Sequence, residues 1–126
     1  IDLSNQEAIE KIKHIAEDAN TCLFTTNLSQ LPLQTRPMAT QHVDDEGCLW
    51  FFSGKDSDKN EEINQDSRVQ LFYANLSKAA FISIYGQAQV IYDREKIEEL
   101  WSQFAKAWFK GGKDDPQLTL IKVHPE

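Results

Sequence analysis

At 126 residues the chain is long enough for one domain and short for two, and 40% apolar residues with three Trp exclude a disordered tail. Thirteen Lys and Arg against twenty Asp and Glu leave a formal net charge of −7. Phosphate surfaces recruit basic ones, so neither nucleic acid nor an anionic membrane is an expected partner, and no apolar run approaches the about 20 residues of a membrane span.

Ser4 and Glu7 form a capping box, and Ile9, Ile12, Ile15, Ala16 and Ala19 recur at helical spacing, which predicts a first helix. Thr21 to Thr26 turns β-branched and apolar and reads as a strand. A loop over 27–32 leads to a second strand from about Leu33 to Val43, and Asp44-Asp45-Glu46-Gly47 is a turn with Gly placed for positive φ. Cys48 to Ser53 is a strongly apolar third strand. The polar stretch from Gly54 to Asp66 reads as a loop and a short helix carrying Ile63. Val69 to Ala74 and Ala79 to Val90 are two further strands, with Gly86 marking a bulge or a close approach. Asp93 caps the longest predicted helix, whose stripe runs Ile97, Leu100, Trp101, Phe104, Ala107 and Trp108 and which Gly111-Gly112 end. Leu118 to Val123 is the last strand. Short loops force antiparallel neighbours, so the pattern predicts one α+β domain over 1–126, mainly β, of about six strands in a barrel or curled sheet with two or three flanking helices. The chain opens on Ile1 rather than Met and stops just after a strand-like run, so flanking sequence is expected at both ends.

Several chemical-looking signals fail. Asp56-x-Asp58-x-Asn60 imitates a calcium loop but has Glu61 where Gly is required and Ser67 where a bidentate Glu is required. Cys22 and Cys48 lie in apolar runs without zinc spacing, as two small buried hydrophobes of a reducing, cytoplasmic compartment. No metal site is expected. His14, His42 and His124 stand alone. No nucleophile elbow or phosphate loop is present, and no catalytic residue can be assigned.

A regular hairpin about the turn at 44–47 would set Arg36 opposite Lys55, Met38 opposite Ser53 and Thr40 opposite Phe51. Arg36, Ser53, Lys55, Ser57 and Lys59 would then gather at the far end, with Asp56 or Ser57 capping the following helix. A guanidinium, ammonium groups, hydroxyls and helix amides around one point suit a phosphate. Met38, Ala39, Trp50, Phe51 and Phe52 would supply an apolar bed beside it for a flat ring, which together suggest a mononucleotide. Surface cations beside an ordinary core strand fit the same spacing.

The runs Arg36-Pro37-Met38-Ala39-Thr40, Asp45 to Ser53, and Ser57-Asp58-Lys59-x-x-Glu62-Ile63 resemble the general stress protein branch of the pyridoxamine 5′-phosphate oxidase-like family. Trp101 and Phe104-x-x-Ala107-Trp108-Phe109-x-Gly111-Gly112-x-Asp114-Asp115-Pro116 are similar to the same branch. The resemblance implies a split β-barrel that dimerises and binds FMN between subunits, with FAD the alternative cofactor. By it Arg36 and Lys59 hold the phosphate, and Ser57 and Ser53 add hydrogen bonds. Pro37, Met38, Gln41 and Phe52 line the ring, while Trp108 approaches from the partner subunit. Gln41 and Asp58 stand where the true oxidases carry Lys and a second basic residue, and the oxidases' C-terminal Trp and Arg do not appear before the chain ends. Flavin binding is therefore implied without pyridoxamine phosphate oxidation. The expected function is a flavin-dependent oxidoreductase acting on a small molecule; the alternatives are a stress protein that holds or senses flavin without turnover, and a structural dimer with a vestigial site.

Overall fold

The structure, a computed structural model, describes residues 5–101 and 116–126. Its elements are α1 (Asn5–Ala19), β1 (Thr21–Thr26), β2 (Gln34–Ala39), β3 (His42–Val43), β4 (Leu49–Gly54), α2 (Asp58–Gln65), β5 (Arg68–Asn75), β6 (Ala80–Ile91), α3 (Arg94–Leu100) and β7 (Leu118–Pro125). A short 3-10 turn over Leu76–Lys78 joins β5 to β6. The seven strands form one antiparallel sheet in the order β2-β1-β5-β6-β7-β4-β3. Its two ends, β2 and β3, are consecutive in the chain and joined through Thr40 and Gln41 alone, so the sheet must curl into a half-barrel. The mainly antiparallel α+β expectation holds.

That junction overturns the single second strand over 33–43 and, by splitting it, gives seven strands where about six were expected. The Thr40 amide donates to the Asn20 carbonyl on the β1 side at 2.8 Å, and the next amide, of Gln41, donates to Trp50 on β4 at 2.9 Å. Successive backbone groups point opposite ways, so at this step the chain leaves one end of the sheet for the other. Only His42↔Trp50 and Val43↔Leu49 pair about the 44–47 turn, and β2 pairs instead with β1, setting Arg36 opposite Phe24. The predicted opposition of Arg36 with Lys55, Met38 with Ser53 and Thr40 with Phe51 is therefore incorrect.

The turn itself is as read. Asp44 Oδ1 accepts from the Glu46 and Cys48 amides at 3.0 and 2.9 Å, and Oδ2 accepts from the Trp50 indole at 2.9 Å. Burial opposes the charged carboxylate, but these bonds outweigh it and hold the Asp44 pKa below its ordinary value. Gly47 has φ +86°, and a Cβ there would sit 2.9 Å from Ile9 Cγ1 on α1, so both backbone and packing require glycine.

Two cores lie on the two faces of β4 and β7. Inside the half-barrel, Phe24, Met38, Leu49, Phe51, Leu71, Ile121 and Val123 pack with Ile15 and Ala16 of α1, and Phe24 meets Phe51 edge-on at 5.2 Å. On the other face, Trp50, Phe52, Leu118 and Leu120 are covered by Ile97 of α3. The apolar bed expected from Met38, Trp50, Phe51 and Phe52 is thus divided, because neighbours along a strand point to opposite faces. Asp93 caps α3 by accepting from the Lys96 amide at 3.2 Å, as read, but α3 stops at Leu100, and Trp101 (φ −57°, ψ 133°) is no longer helical. Trp101 instead turns its ring onto Phe52, 5.8 Å between centroids. The remainder of that predicted helix lies outside the described residues, as does Ser4 of the first capping box. Among the described residues no helix is long and apolar enough to cross a membrane.

Cys22 and Cys48 are buried, as expected. Burial pushes the Cys22 thiol up to about 12, and burial and then the Asp44 charge raise that of Cys48. Neither is a thiolate at neutral pH, so native protein should show no fast reaction with a disulfide reagent, and denatured protein should titrate two thiols. His124 does not stand alone: its Nδ1 lies 3.3 Å from Cys48 Sγ and its Nε2 lies 3.2 Å from Gln89 Oε1. The pairing of β7 with β4 and β6 creates these contacts.

Candidate functional site

Ser57 leaves the β4 turn with extended φ −71° and ψ 152°, and its hydroxyl oxygen accepts from the Asn60 amide at 3.4 Å, which starts α2 as expected. That leaves the hydroxyl proton free to donate to an anion. Ile63 faces the core from α2, so Lys59 and Glu62, three residues apart, project together from another side of the helix.

Arg36 arrives at this side of α2 from β2. Its Nη1 donates to Thr26 Oγ1 at 2.7 Å, and Thr26 Oγ1 donates in turn to Glu62 Oε2 at 2.7 Å. Nη2 lies 3.5 Å from both Glu62 carboxylate oxygens, so β1, β2 and α2 are tied in one ring. Lys59 is partly buried beside it. Burial and then the Arg36 cation hold its ammonium below the ordinary lysine pKa, with Asp58 opposing. Among the described residues the Lys59 ammonium has no hydrogen-bond or ion-pair partner. A half-buried cation next to a second cation is a place that an anion would stabilise.

The expected site residues separate into groups. Arg36, Ser57 and Lys59 come together at the start of α2. Ser53 does not join them: it is 2% exposed and its hydroxyl pairs with Thr119 Oγ1 at 2.7 Å. Met38 is in the barrel core and Phe52 is in the second core under α3. Pro37 lies exposed on the outer face of β2, and Gln41 sits at the strand switch, where its Nε2 donates to the Ala39 carbonyl at 3.3 Å. Lys55 lines a groove of about 490 Å³ along α2 with Asp56, Ser57, Glu61, Asn64 and Gln65. Its two carboxylates outnumber its one cation. Trp108 lies outside the described residues.

Sequence reasoning missed Thr26, Glu62 and Asn60. Glu62 stood in the quoted motif, one helical turn from Lys59, and that spacing alone could have marked it. Asn60 is 2% exposed; its Nδ2 donates to Thr119 Oγ1 at 2.9 Å while its Oδ1 has no partner. Thr26 could not have been found, because only the β1–β2 register brings its hydroxyl to Arg36.

The model of the family described as "Pyridoxamine 5′-phosphate oxidase like" matches residues 7–126. The chain belongs to that family. Among curated relatives, it is 29% identical over 77 residues to general stress protein 26 of Bacillus subtilis, 59% of this chain and 54% of that protein. It is 26% identical over 100 residues to protein bli-3 of Neurospora crassa, 72% of this chain and 48% of that one. The chain thus spans about half the length of these relatives. The fold is shared with general stress protein 26 of Bacillus anthracis, with a TM-score of 0.82 at 22% identity over 94% of this chain and 89% of that one. The general stress FMN/FAD binding protein of Xanthomonas citri superposes with a TM-score of 0.79 at 25% identity, over 97% and 84% of the two chains. Its relatives and structural neighbours set this family member in the general stress protein branch, and its half-barrel is the split barrel of those neighbours.

Proposed function

We propose that this family member binds a flavin mononucleotide, with the phosphate between Arg36 and Lys59 at the start of α2, and acts as a flavin-dependent oxidoreductase on a small molecule. The observation that carries the reading is Lys59, a half-buried ammonium set against Arg36 with no hydrogen-bond or ion-pair partner among the described residues. The Ser57 hydroxyl proton and the first-turn amides of α2 supply further donors to the same point. On the ring side, β2 ends the sheet, so one row of its backbone groups is left unpaired by strands and suits the polar edge of a flavin. Pro37 lies within that strand and Gln41 just beyond its end. The bound flavin would supply hydride transfer at its ring, and the chain would hold and orient it.

We also propose that a second copy covers the outer sheet face. The registers align Pro37, Leu23 and Phe72 across β2, β1 and β5, and Phe81 follows on β6. Leu23, Phe72 and Phe81 are 50%, 45% and 63% exposed, a continuous apolar patch of the kind that marks an interface. Light scattering should give a dimer mass at micromolar concentration, and Phe72→Lys should shift it towards monomer.

Titration with FMN should change the flavin spectrum and quench its fluorescence; no change in either would remove the flavin reading. A second reading, flavin holding without turnover, draws on the only carboxylate contacting Arg36 among the described residues. Glu62 is spent on Thr26 and Arg36, which leaves it poorly placed as a base. Reduction of bound FMN by NADH or NADPH at a steady rate would decide for the oxidoreductase, and its absence for the holder.

A further inference from the structure

The ring formed by Thr26, Arg36 and Glu62 is uneven. Its short links run through the Thr26 hydroxyl, 2.7 Å on each side, while the direct Nη2 contacts to Glu62 are 3.5 Å. A well-formed guanidinium–carboxylate bond is about 2.7–2.9 Å. Glu62 is therefore anchored beside the guanidinium by Thr26 and does not fill its fork. The ring uses one hydrogen on each Nη, which among the described residues leaves three of the five guanidinium N–H groups for a ligand. Both side chains are mostly buried, at 23% and 17% exposure, so the carboxylate's charge is felt at the site rather than lost to solvent.

We propose that Glu62 is a specificity-determining residue: a fixed counter-charge that limits how much of a ligand's affinity comes from its phosphate and how much from its ring. With Glu62 present, Arg36 and Lys59 offer one net positive charge instead of two. A bare anion, which binds by charge alone, is then held weakly, and the site stays clear of ambient phosphate. A phosphate ester carrying a flat ring makes up the loss through contacts the bare anion lacks. The inference rests on the phosphate reading of this site.

The test compares wild type with Glu62→Gln, which keeps an acceptor for Thr26 and removes the charge. Glu62→Met is a second variant should the first fold poorly. FMN and riboflavin are titrated by fluorescence, inorganic phosphate is added as competitor, and melting serves as the folding control. Glu62→Gln should bind FMN roughly tenfold tighter and, with FMN held well below its Kd, show a roughly tenfold lower inhibition constant for phosphate, the scale of one nearby charge partly screened by solvent. Riboflavin should not move, and added salt should shrink the FMN gain, which a purely positioning role would not predict. If wild type prefers FMN but Glu62→Gln binds it equally or more weakly, Glu62 only steadies Arg36 and the proposal is overturned. If wild type binds FMN and riboflavin alike, the phosphate reading fails and takes the proposal with it.

Discussion

Arg36→Ala should weaken FMN by roughly ten- to a hundredfold while leaving riboflavin, the same ring without phosphate, almost unchanged. A hydrogen bond to a charged group contributes roughly 1.5–3 kcal/mol, and each 1.4 kcal/mol is about tenfold in affinity. The ring with Thr26 and Glu62 adds a second effect. The substitution leaves a mostly buried carboxylate without its cation, so the variant should also lose about 1 kcal/mol of stability, a figure kept small because the pair is partly solvated. Lys59 separates the two effects. Its ammonium is disfavoured by burial and by Arg36 and has no ion-pair partner to lose among the described residues. Lys59→Met should therefore melt no lower than wild type and still bind FMN several-fold more weakly. FMN and riboflavin affinities with thermal melting for each variant check this. Equal losses for both ligands, or none for either, would sink the phosphate assignment.

Gly86→Ala should be the most damaging single methyl in the sheet. Gly86 is buried on β6 between Val69 of β5 and Pro125 of β7. An added Cβ would overlap the His124 carbonyl oxygen and lie 3.0 Å from its carbon and 3.1 Å from Pro125 Cα. These are backbone atoms, which cannot turn aside as a side chain can, so the end of the β6–β7 ladder must open. Overpacking of this kind costs about 3 kcal/mol, and at about 4 °C per kcal/mol the melting temperature should fall by roughly 12 °C. Calorimetry of the variant checks it, and a melt within about 2 °C of wild type would show that the two strands can part without penalty. The register runs unbroken through Gly86, so of the two readings open from sequence it is the close approach and not the bulge.

What the sequence determined by itself is the local part of this protein. The stripe Ile12, Ile15, Ala16 of α1, the Asp44–Gly47 turn, the Ser57 and Asp93 caps and the strands other than the one expected over 33–43 all depend on neighbours a few residues apart, and each is found where its pattern stands. So does the pairing of Ser57 with Lys59 on one short helix. The motifs also carried the family resemblance that the match over residues 7–126 establishes. Tertiary structure alone decided where Arg36 goes. A hairpin extended from its turn was the natural local reading, but the backbone switches sheet ends at Thr40 and Gln41, and alternation along a strand cannot reveal which partner it leaves for. That one step moves Arg36 from Lys55 to Thr26 and Glu62, while the pairing of β4 with β7 buries Ser53 against Thr119. Met38 and Phe52 lie in different cores for a local reason, since neighbours along β4 face opposite ways. Long-range register depends on the total burial of the closed sheet, and no window of neighbouring residues contains that quantity.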